Sequence, residues 1–474
     1  MKFESVIGLE MHVQMKTKSK MFSDASVSFG EKANTNVAYL DMAFPGSMPT
    51  VNKQAVINAI RVCYALHMDI DNQLWFDRKN YFYSDIAKGY QITQYFRPIG
   101  KNGFLIIKTK DGERRINVER LHIEEDAAKQ IHYKDYSLID YNRAGIPLLE
   151  IVSKHEIRNG EEARKYAEKI RSIVTFLDVS DGKMEEGSLR CDVNISLKPI
   201  GDDKLGNKVE IKNLNSFVNI QKAIDYEIER QEKILVSGGV VKQETRRFDE
   251  ATKKTVAMRN KTDEVDYKYF VESNLVPINL SDEFIKEAII TSNELADAKL
   301  VRYQKLGLNE YDSNLLVSNK EISNYYDSVI LNGANPKRAA NWIIVDVQSV
   351  LKRQNISIDE FRISPKYLAK LINIIEKGTI SNRQGRKIFE KMLAENKDPQ
   401  LIIDEAGIFV NSDESSLKAT IVEVVDANPQ AVEEYKKGRD RAVGFLVGQI
   451  MKKTKGTANP MLTNKLIVEE LKRR

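Results

Sequence analysis

The sequence predicts an α+β protein in which a sheet-bearing first part gives way to helices alone. Two patterns carry that reading. In the first 292 residues, polar and apolar side chains alternate with a period of two in several runs, separated by amphipathic helical runs; beyond Asn293 only the helical period remains. At 474 residues the chain is longer than one hydrophobic core sustains, so two or three domains are expected.

The run that organises the rest is Lys183-Met-Glu-Glu-Gly-Ser-Leu-Arg-Cys-Asp-Val-Asn-Ile-Ser-Leu-Lys198. Leu189, Cys191, Val193, Ile195 and Leu197 fall on one face of a strand, and Arg190, Asp192, Asn194, Ser196 and Lys198 on the other. The polar face sets a cation beside a carboxylate and an amide, just after Glu185 and Glu186. It suits a metal or a phosphate, and equally the solvated side of a half-exposed strand. The same alternation opens the chain, with Ile7, Leu9, Met11, Val13 and Met15 against Glu10, His12 and Gln14. A carboxylate and an imidazole two residues apart on a strand can reach one cation, although a strand histidine can also be simply hydrogen-bonded.

Next comes a helix announced by Asn52, whose Ala55, Val56, Ala59, Ile60, Cys63 and Leu66 should cover the apolar face of the sheet. Residues 75–85 interleave aromatics with Arg78 and Lys79, a pattern that stacks a base and holds phosphate, or fills a core. Ile116 and Val118 alternate into Leu121-His-Ile-Glu-Glu-Asp126, ending in three consecutive carboxylates that repel one another unless a cation or water intervenes. In Ile146-Pro-Leu-Leu-Glu-Ile-Val152 a single carboxylate, Glu150, sits in an apolar run. An ionised carboxylate is too costly to bury alone, so Glu150 is expected to be paired or bound to metal.

A helix over Glu161 to Asp178 leads into the organising strand. Lys208 to Asn213 then repeats the alternation, with Lys208, Glu210 and Lys212 on the polar side. A further helix runs from Ser216 to Gly238-Gly239, and Gln243 to Asp249 carries the adjacent Arg246 and Arg247. No P-loop and no G-x-G-x-x-G occurs, so a bound nucleotide must be held by side chains on strands. Cys63 and Cys191 fall on apolar stripes and are too few for a disulfide framework or a thiolate zinc site; both read as core thiols. With no run of eighteen apolar residues and no signal-peptide core at its start, the chain is expected to be cytoplasmic, without membrane contact.

In the helical part, Asn335-Pro336, Ser364-Pro365, Asn428-Pro429 and Asn459-Pro460 each pair a capping residue with proline at the first helical position, and Gly307, Gly333, Gly378 and Gly438 close helices. An internal boundary is expected near Leu401 to Gly407, giving domains 1–292, 293–406 and 407–474. The net charge of +5 hides an asymmetry: residues 435–474 hold eleven Lys or Arg against three Asp or Glu, a net +8, which leaves −3 for the rest. Such an end meets an anionic polymer or is a solvated charged helix.

Several blocks taken in order resemble one family: Gly8-Leu-Glu-Met-His-Val, Asn34-Thr-Asn, Phe76-Asp-Arg-Lys-Asn-Tyr-Phe-Tyr, Leu121-His-Ile-Glu-Glu-Asp, the whole run from Lys183 to Asn194, Glu210-Ile-Lys-Asn-Leu-Asn-Ser-Phe and Gln243-Glu-Thr-Arg-Arg-Phe-Asp. Phe445-Leu-Val-Gly-Gln-Ile-Met and Lys455-Gly-Thr-Ala-Asn-Pro extend the match to the C-terminus. The family is the B subunit of glutamine-dependent aspartyl/glutamyl-tRNA amidotransferases. The resemblance implies an antiparallel-sheet cradle domain similar to the glutamine synthetase and guanido kinase fold, then a helical domain and a small helical tail. It implies that Glu or Asp misacylated onto tRNA(Gln) or tRNA(Asn) is phosphorylated by ATP and amidated with ammonia. The ammonia would come from the A subunit, an amidase-type glutaminase, while a small third partner, the C subunit, would brace the pair.

Carried onto matching positions, the resemblance makes His12, Glu125 and Glu150 the Mg2+ ligands, with Glu10 and Asp192 close by. Where some relatives carry a zinc-binding cysteine cluster between Met21 and Asn36, this sequence has none, and no zinc is expected. The physical reading adds Arg190 beside Glu10 and Asp192 as catalytic candidates and Lys79, Lys212 and Arg247 as ATP phosphate contacts, because carboxylate attack on ATP needs its phosphate charge neutralised. Lys452, Lys453 and Lys455 are the candidates for tRNA. An ATP-dependent amide ligase or kinase of the same fold acting on a small molecule would not need the polycationic end. A non-catalytic RNA-binding scaffold would leave the carboxylates in apolar runs unexplained.

Overall fold

The structure, a computed structural model, describes residues 2–28, 30–260, 266–406, 414–439, 441–454, 458 and 460–474. The chain divides into two units, Met1–Leu295 and Ala296–Arg474. A nine-stranded sheet is the frame of the first. Its strands are β1 (Phe3–Gln14), β2 (Asp69–Ile70), β3 (Gly100–Thr109), β4 (Gly112–Glu125), β5 (Pro147–Ser153), β6 (Leu189–Pro199), β7 (Val209–Lys212), β8 (Glu244–Asp249) and β9 (Lys254–Asn260). Across the sheet the order is β9-β8-β7-β6-β1-β5-β4-β3-β2, so the first strand of the chain is the central one. Neighbours run antiparallel with one exception, the parallel pair β7 and β8. A parallel neighbour needs a crossover, which the helix between these two strands supplies.

Three helices bury the apolar side of the alternation: α1 (Lys53–Ala65), α2 (Gly160–Phe176) and α3 (Phe217–Val236). Leu9, Met11, Val13, Leu121, Ile123, Leu149, Ile151, Cys191 and Val193 share one core with Ala59, Ile60, Tyr166, Ile170, Ile220 and Ile224. Each of these helices starts on a side chain that accepts hydrogen bonds from its first turn: Asn52, Asn159 and Ser216. Cys63 and Cys191 are buried in that core, and burial pushes both thiols up, as inert core cysteines require. Because the helices cover one side only, the polar side of the central strands is left for other work.

The aromatic run after residue 75 is neither wholly core nor wholly surface. Phe76 is buried, whereas Phe82 and Tyr83 are exposed. Between them the strand Asp77–Asn80 lies in a separate three-stranded sheet, flanked by Phe270–Val271 and Tyr90–Thr93.

The named elements of the second unit are all helices. Asn335 and Ser364 cap helices that begin on Pro336 and Pro365, and Pro429 and Pro460 also begin helices. The four glycines expected to close helices take φ from +74° to +91°, where a side chain would be strained. Not foreseen was a π-helical stretch, Trp342–Val347. Two apolar clusters lie in this unit, one drawn from residues 303–403 and one from 417–471. The expected boundary at 407 falls outside the described residues. Among the described residues no helix is long and apolar enough to cross a membrane.

Candidate active site on the polar face of the sheet

The register of the central strands follows from burying one face, since a slip of one residue would turn every apolar side chain outward. It pairs His12 with both Glu150 and Arg190, Glu150 with His122, and Glu10 with Asp192. Four strands thereby deliver a row of charged side chains to the side opposite the helices.

At the centre of the row is Glu150, whose Oε2 lies 3.1 Å from His122 Nε2 and 3.6 Å from His12 Nε2. His122 Nε2 is also 3.4 Å from Glu124 Oε2. One ligand atom from each of His12, Glu124 and Glu150 lies within 4.8 Å of the others. An imidazole and two carboxylates converging in this way match the donor set of a divalent cation, so the residues present fit the metal that the resemblance implies. Among the described residues, His122 Nδ1 and Arg190 Nε are buried without a hydrogen-bond partner.

The electrostatics follow from this crowding. Burial alone would raise the Glu150 carboxyl, but the charge of His122 and hydrogen bonds from both histidines hold it well below the usual carboxylate range. Burial would lower His122, but Glu150 and Glu124 outweigh it and push the imidazole up to about 9. His12 is raised by the same carboxylates against the same burial. Glu10 moves the other way from Glu150: burial, then the charges of Glu150 and Asp192, raise it, opposed by His12 and a 2.8 Å hydrogen bond from Asn194.

Beyond Glu10 the row continues with Asp192, which accepts a 2.9 Å hydrogen bond from Lys212 Nζ; Glu210 takes the same ammonium at 3.0 Å. Arg247 pairs across the parallel register with Lys212, is about half exposed, and lies 3.6 Å from Asp249. The structure thus brings Glu10, His12, Glu150, Asp192, Lys212 and Arg247 to one face. Arg190 is on that face too but turns to Asp126, 2.6 Å away.

The three consecutive acids at the end of β4 each find a different partner. Asp126 is held by Arg190 and Gln14, and Glu125 by Lys88 at 2.7 Å and the Ile92 N–H at 3.0 Å. Only Glu124 joins His12 and Glu150. The sequence reading named Glu125 and passed over Glu124 and His122. The signal was there: His122 and Glu124 share the parity opposite to Leu121 and Ile123, whereas Glu125 shares theirs.

Other candidates lie elsewhere. Lys79 belongs to the three-stranded sheet, its ammonium 4.8 Å from the centre of the Tyr267 ring. Glu186 pairs with Lys183 before β6 and takes no part in the cluster. Lys452 and Lys453 end the helix Arg441–Lys453 in the second unit, Lys453 pairing with Glu423, and Lys455 lies outside the described residues.

Comparison with known proteins bears on what this face does. Residues 5–286 match the family described as the GatB/GatE catalytic domain, and residues 324–471 the GatB domain. The chain is 49% identical over 476 residues to the protein named as the B subunit of aspartyl/glutamyl-tRNA(Asn/Gln) amidotransferase in Geobacillus thermodenitrificans, and equally so to that of Geobacillus kaustophilus. To the protein of the same name in Bacillus mycoides it is 47% identical over 475 residues, and each comparison covers 100% of both chains. With identity at that level from end to end, the chain belongs to the family of aspartyl/glutamyl-tRNA(Asn/Gln) amidotransferase B subunits.

Proposed function

We propose that this chain is the transamidase subunit of a glutamine-dependent tRNA amidotransferase. It uses ATP to phosphorylate the side-chain carboxylate of Glu or Asp misacylated onto tRNA(Gln) or tRNA(Asn), then replaces the phosphate with ammonia. The observation that carries this reading is the convergence of His12, Glu124 and Glu150 on the sheet face that also bears Lys212 and Arg247, in a chain that matches the family over its whole length. A small-molecule ligase or kinase is not favoured.

In this proposal His12, Glu124 and Glu150 hold Mg2+, which when bound neutralises phosphate charge. Lys212 and Arg247 receive the phosphate oxygens of ATP, Asp192 and Glu210 fixing the lysine. The substrate carboxylate attacks the γ-phosphorus and ADP leaves. Ammonia then attacks the acyl carbon, phosphate leaves, and Glu10 accepts the proton released from nitrogen. Arg190, clamped by Asp126, positions the face beside His12. The proposal includes a sheet unit akin to glutamine synthetase and the guanido kinases, an amidase-type glutaminase as the A partner with a small C partner, and no zinc.

The test is the purified chain with misacylated tRNA and ATP. Amidated tRNA is expected with ammonium at high concentration and none with glutamine. Both thiols are buried, and no amidase Ser-Ser-Lys signature occurs in the sequence. Glutamine hydrolysis by the single chain would overturn the division of labour. ATP consumption independent of tRNA would favour a small-molecule enzyme.

The tail from about residue 407 is proposed to bind tRNA. The apolar cluster of residues 417–471 is distinct from that of 303–403, so truncation there leaves the latter whole. Deletion is expected to weaken tRNA binding by about tenfold or more and to flatten its salt dependence, since phosphate neutralisation by Lys and Arg gives affinity that falls with salt. Equal affinities and equal slopes for full-length and truncated chains would mean that the basic end does not touch RNA.

A further inference from the structure

Beside the carboxylate cluster stands a ladder of aromatic rings to which the proposed reaction gives no role. Tyr95 stacks on Tyr269 at 4.0 Å with their planes 12° apart. Tyr269 meets Tyr267 edge-on at 6.1 Å, Tyr267 meets Tyr81 at 6.1 Å, and Phe96 abuts Tyr95 at 5.2 Å. The ammonium of Lys79 lies over Tyr267. Rings are usually gathered to fill a core, yet Tyr95 is 53% and Phe96 52% exposed. That end of the ladder therefore reaches solvent.

The ladder is fixed against the site by hydrogen bonds. Thr93 donates to Glu124 (3.4 Å), the Ile92 N–H to Glu125 (3.0 Å), and Gln94 accepts from the Ile123 N–H (3.0 Å), which places Tyr95 two residues from a contact with the cluster. On the other side, Lys268 holds a left-handed backbone, φ +45°, between the two ladder tyrosines. Asn80 stabilises that turn, donating its backbone N–H to the Tyr267 carbonyl and its side chain to the Lys268 carbonyl. Burial and then the charge of Glu150 raise the Tyr269 phenol, in keeping with its nearness to the cluster.

Aromatic rings interleaved with cations are how proteins hold unpaired nucleotides, one base on one ring. Lys212 and Arg247, the proposed seat of the ATP phosphates, stand on β7 and β8, whereas the ladder abuts β4. Four strand spacings separate β7 from β4, about 19 Å. An adenine stacked on Tyr95 would have to lie on the far side of the carboxylate cluster from Lys212 and Arg247, which favours the other substrate, whose acyl group must reach His12, Glu124 and Glu150 from the same ribose.

We propose that the solvent-exposed ring of Tyr95 seats the 3′-terminal nucleobase of the misacylated tRNA, with Tyr269 as its backing ring and Lys79 facing the RNA backbone. This rests on the transamidase reading. The probe is tRNA carrying 2-aminopurine at its 3′ end, bound to the full chain. Its fluorescence is expected to be quenched several-fold by the wild type and by Tyr95→Phe, and not by Tyr95→Ala, whose tRNA affinity should fall about tenfold, the stacking of one base. Tyr95 is exposed enough for the alanine variant to fold, and its melting curve verifies that. Quenching that survives Tyr95→Ala, or that excess ATP abolishes, overturns the proposal, the second outcome assigning the ladder to the adenine of ATP. ATP consumption measured in the same samples separates the two readings: turnover dependent on misacylated tRNA with unchanged quenching rejects the ladder alone, whereas no such turnover rejects the transamidase reading.

Discussion

Replacing Glu150 by alanine or glutamine is expected to slow ATP-dependent activation of misacylated tRNA by about a thousandfold or more, a barrier of about 4 kcal/mol. Glu150 is the carboxylate that both histidines share, and with Glu124 it supplies the negative charge that a divalent cation would neutralise. Glutamine keeps its volume and can still accept from His122, so packing survives while the charge is lost. Affinity for tRNA should be unchanged, because Glu150 is proposed to act on the metal and not on the RNA. Magnesium and ATP should raise the melting temperature of the wild type by mass action and leave both variants nearly unmoved. Variants that retain the thermal shift and lie within about tenfold of the wild-type rate would reduce Glu150 to a structural ion pair.

Most of this face was legible because a strand has a period of two, and a buried face enforces it. Glu10, His12, Glu150, Asp192 and Lys212 could each be assigned to the polar side from their apolar neighbours alone. The same rule assigns His122 and Glu124 to that side and Glu125 to the other, whereas the resemblance implies Glu125 as a ligand. Other features depend on contacts between distant segments and leave no periodic trace. Arg190 reads as a catalytic candidate in sequence, but Asp126, 64 residues away, captures it. The Asn34-Thr-Asn36 block carried no chemistry that could be read from it. Its role is to stitch a loop, through Asn34 to Asp140 and Ile139 and through Asn36 to Asn142. Nor does any local pattern mark the π-helical turn at Trp342, since the apolar residues around it fit an ordinary helix equally well.

The largest expected loss of stability belongs to Lys20, in the long segment between β1 and α1 that contains residues 21–36 and has no cysteine with which to bind zinc. A buried ion pair fastens it: the Lys20 ammonium donates to Asp41 at 2.8 Å and to the Tyr141 carbonyl at 3.2 Å, both side chains of the pair being almost wholly inaccessible. Asp41 also accepts from Ser23 at 3.1 Å and the Ala38 N–H at 2.9 Å, and Gly145 leaves the space, since a Cβ there would stand 2.8 Å from the Asp41 carboxylate. Burial lowers Lys20 despite the partner, the signature of a charge that relies on its counter-ion. Lys20→Met should therefore cost the first unit about 3–5 kcal/mol, chiefly by leaving Asp41 charged and unpaired. Lys20→Met combined with Asp41→Leu should recover a substantial part of that loss, because the uncompensated charge goes with the carboxylate. Denaturant unfolding followed by Trp75 fluorescence in a Trp342→Phe background reports on the first unit alone. A cost below about 1 kcal/mol for Lys20→Met, or a double variant no better than the single one, would show that the segment is held by its asparagine stitches and not by the buried pair.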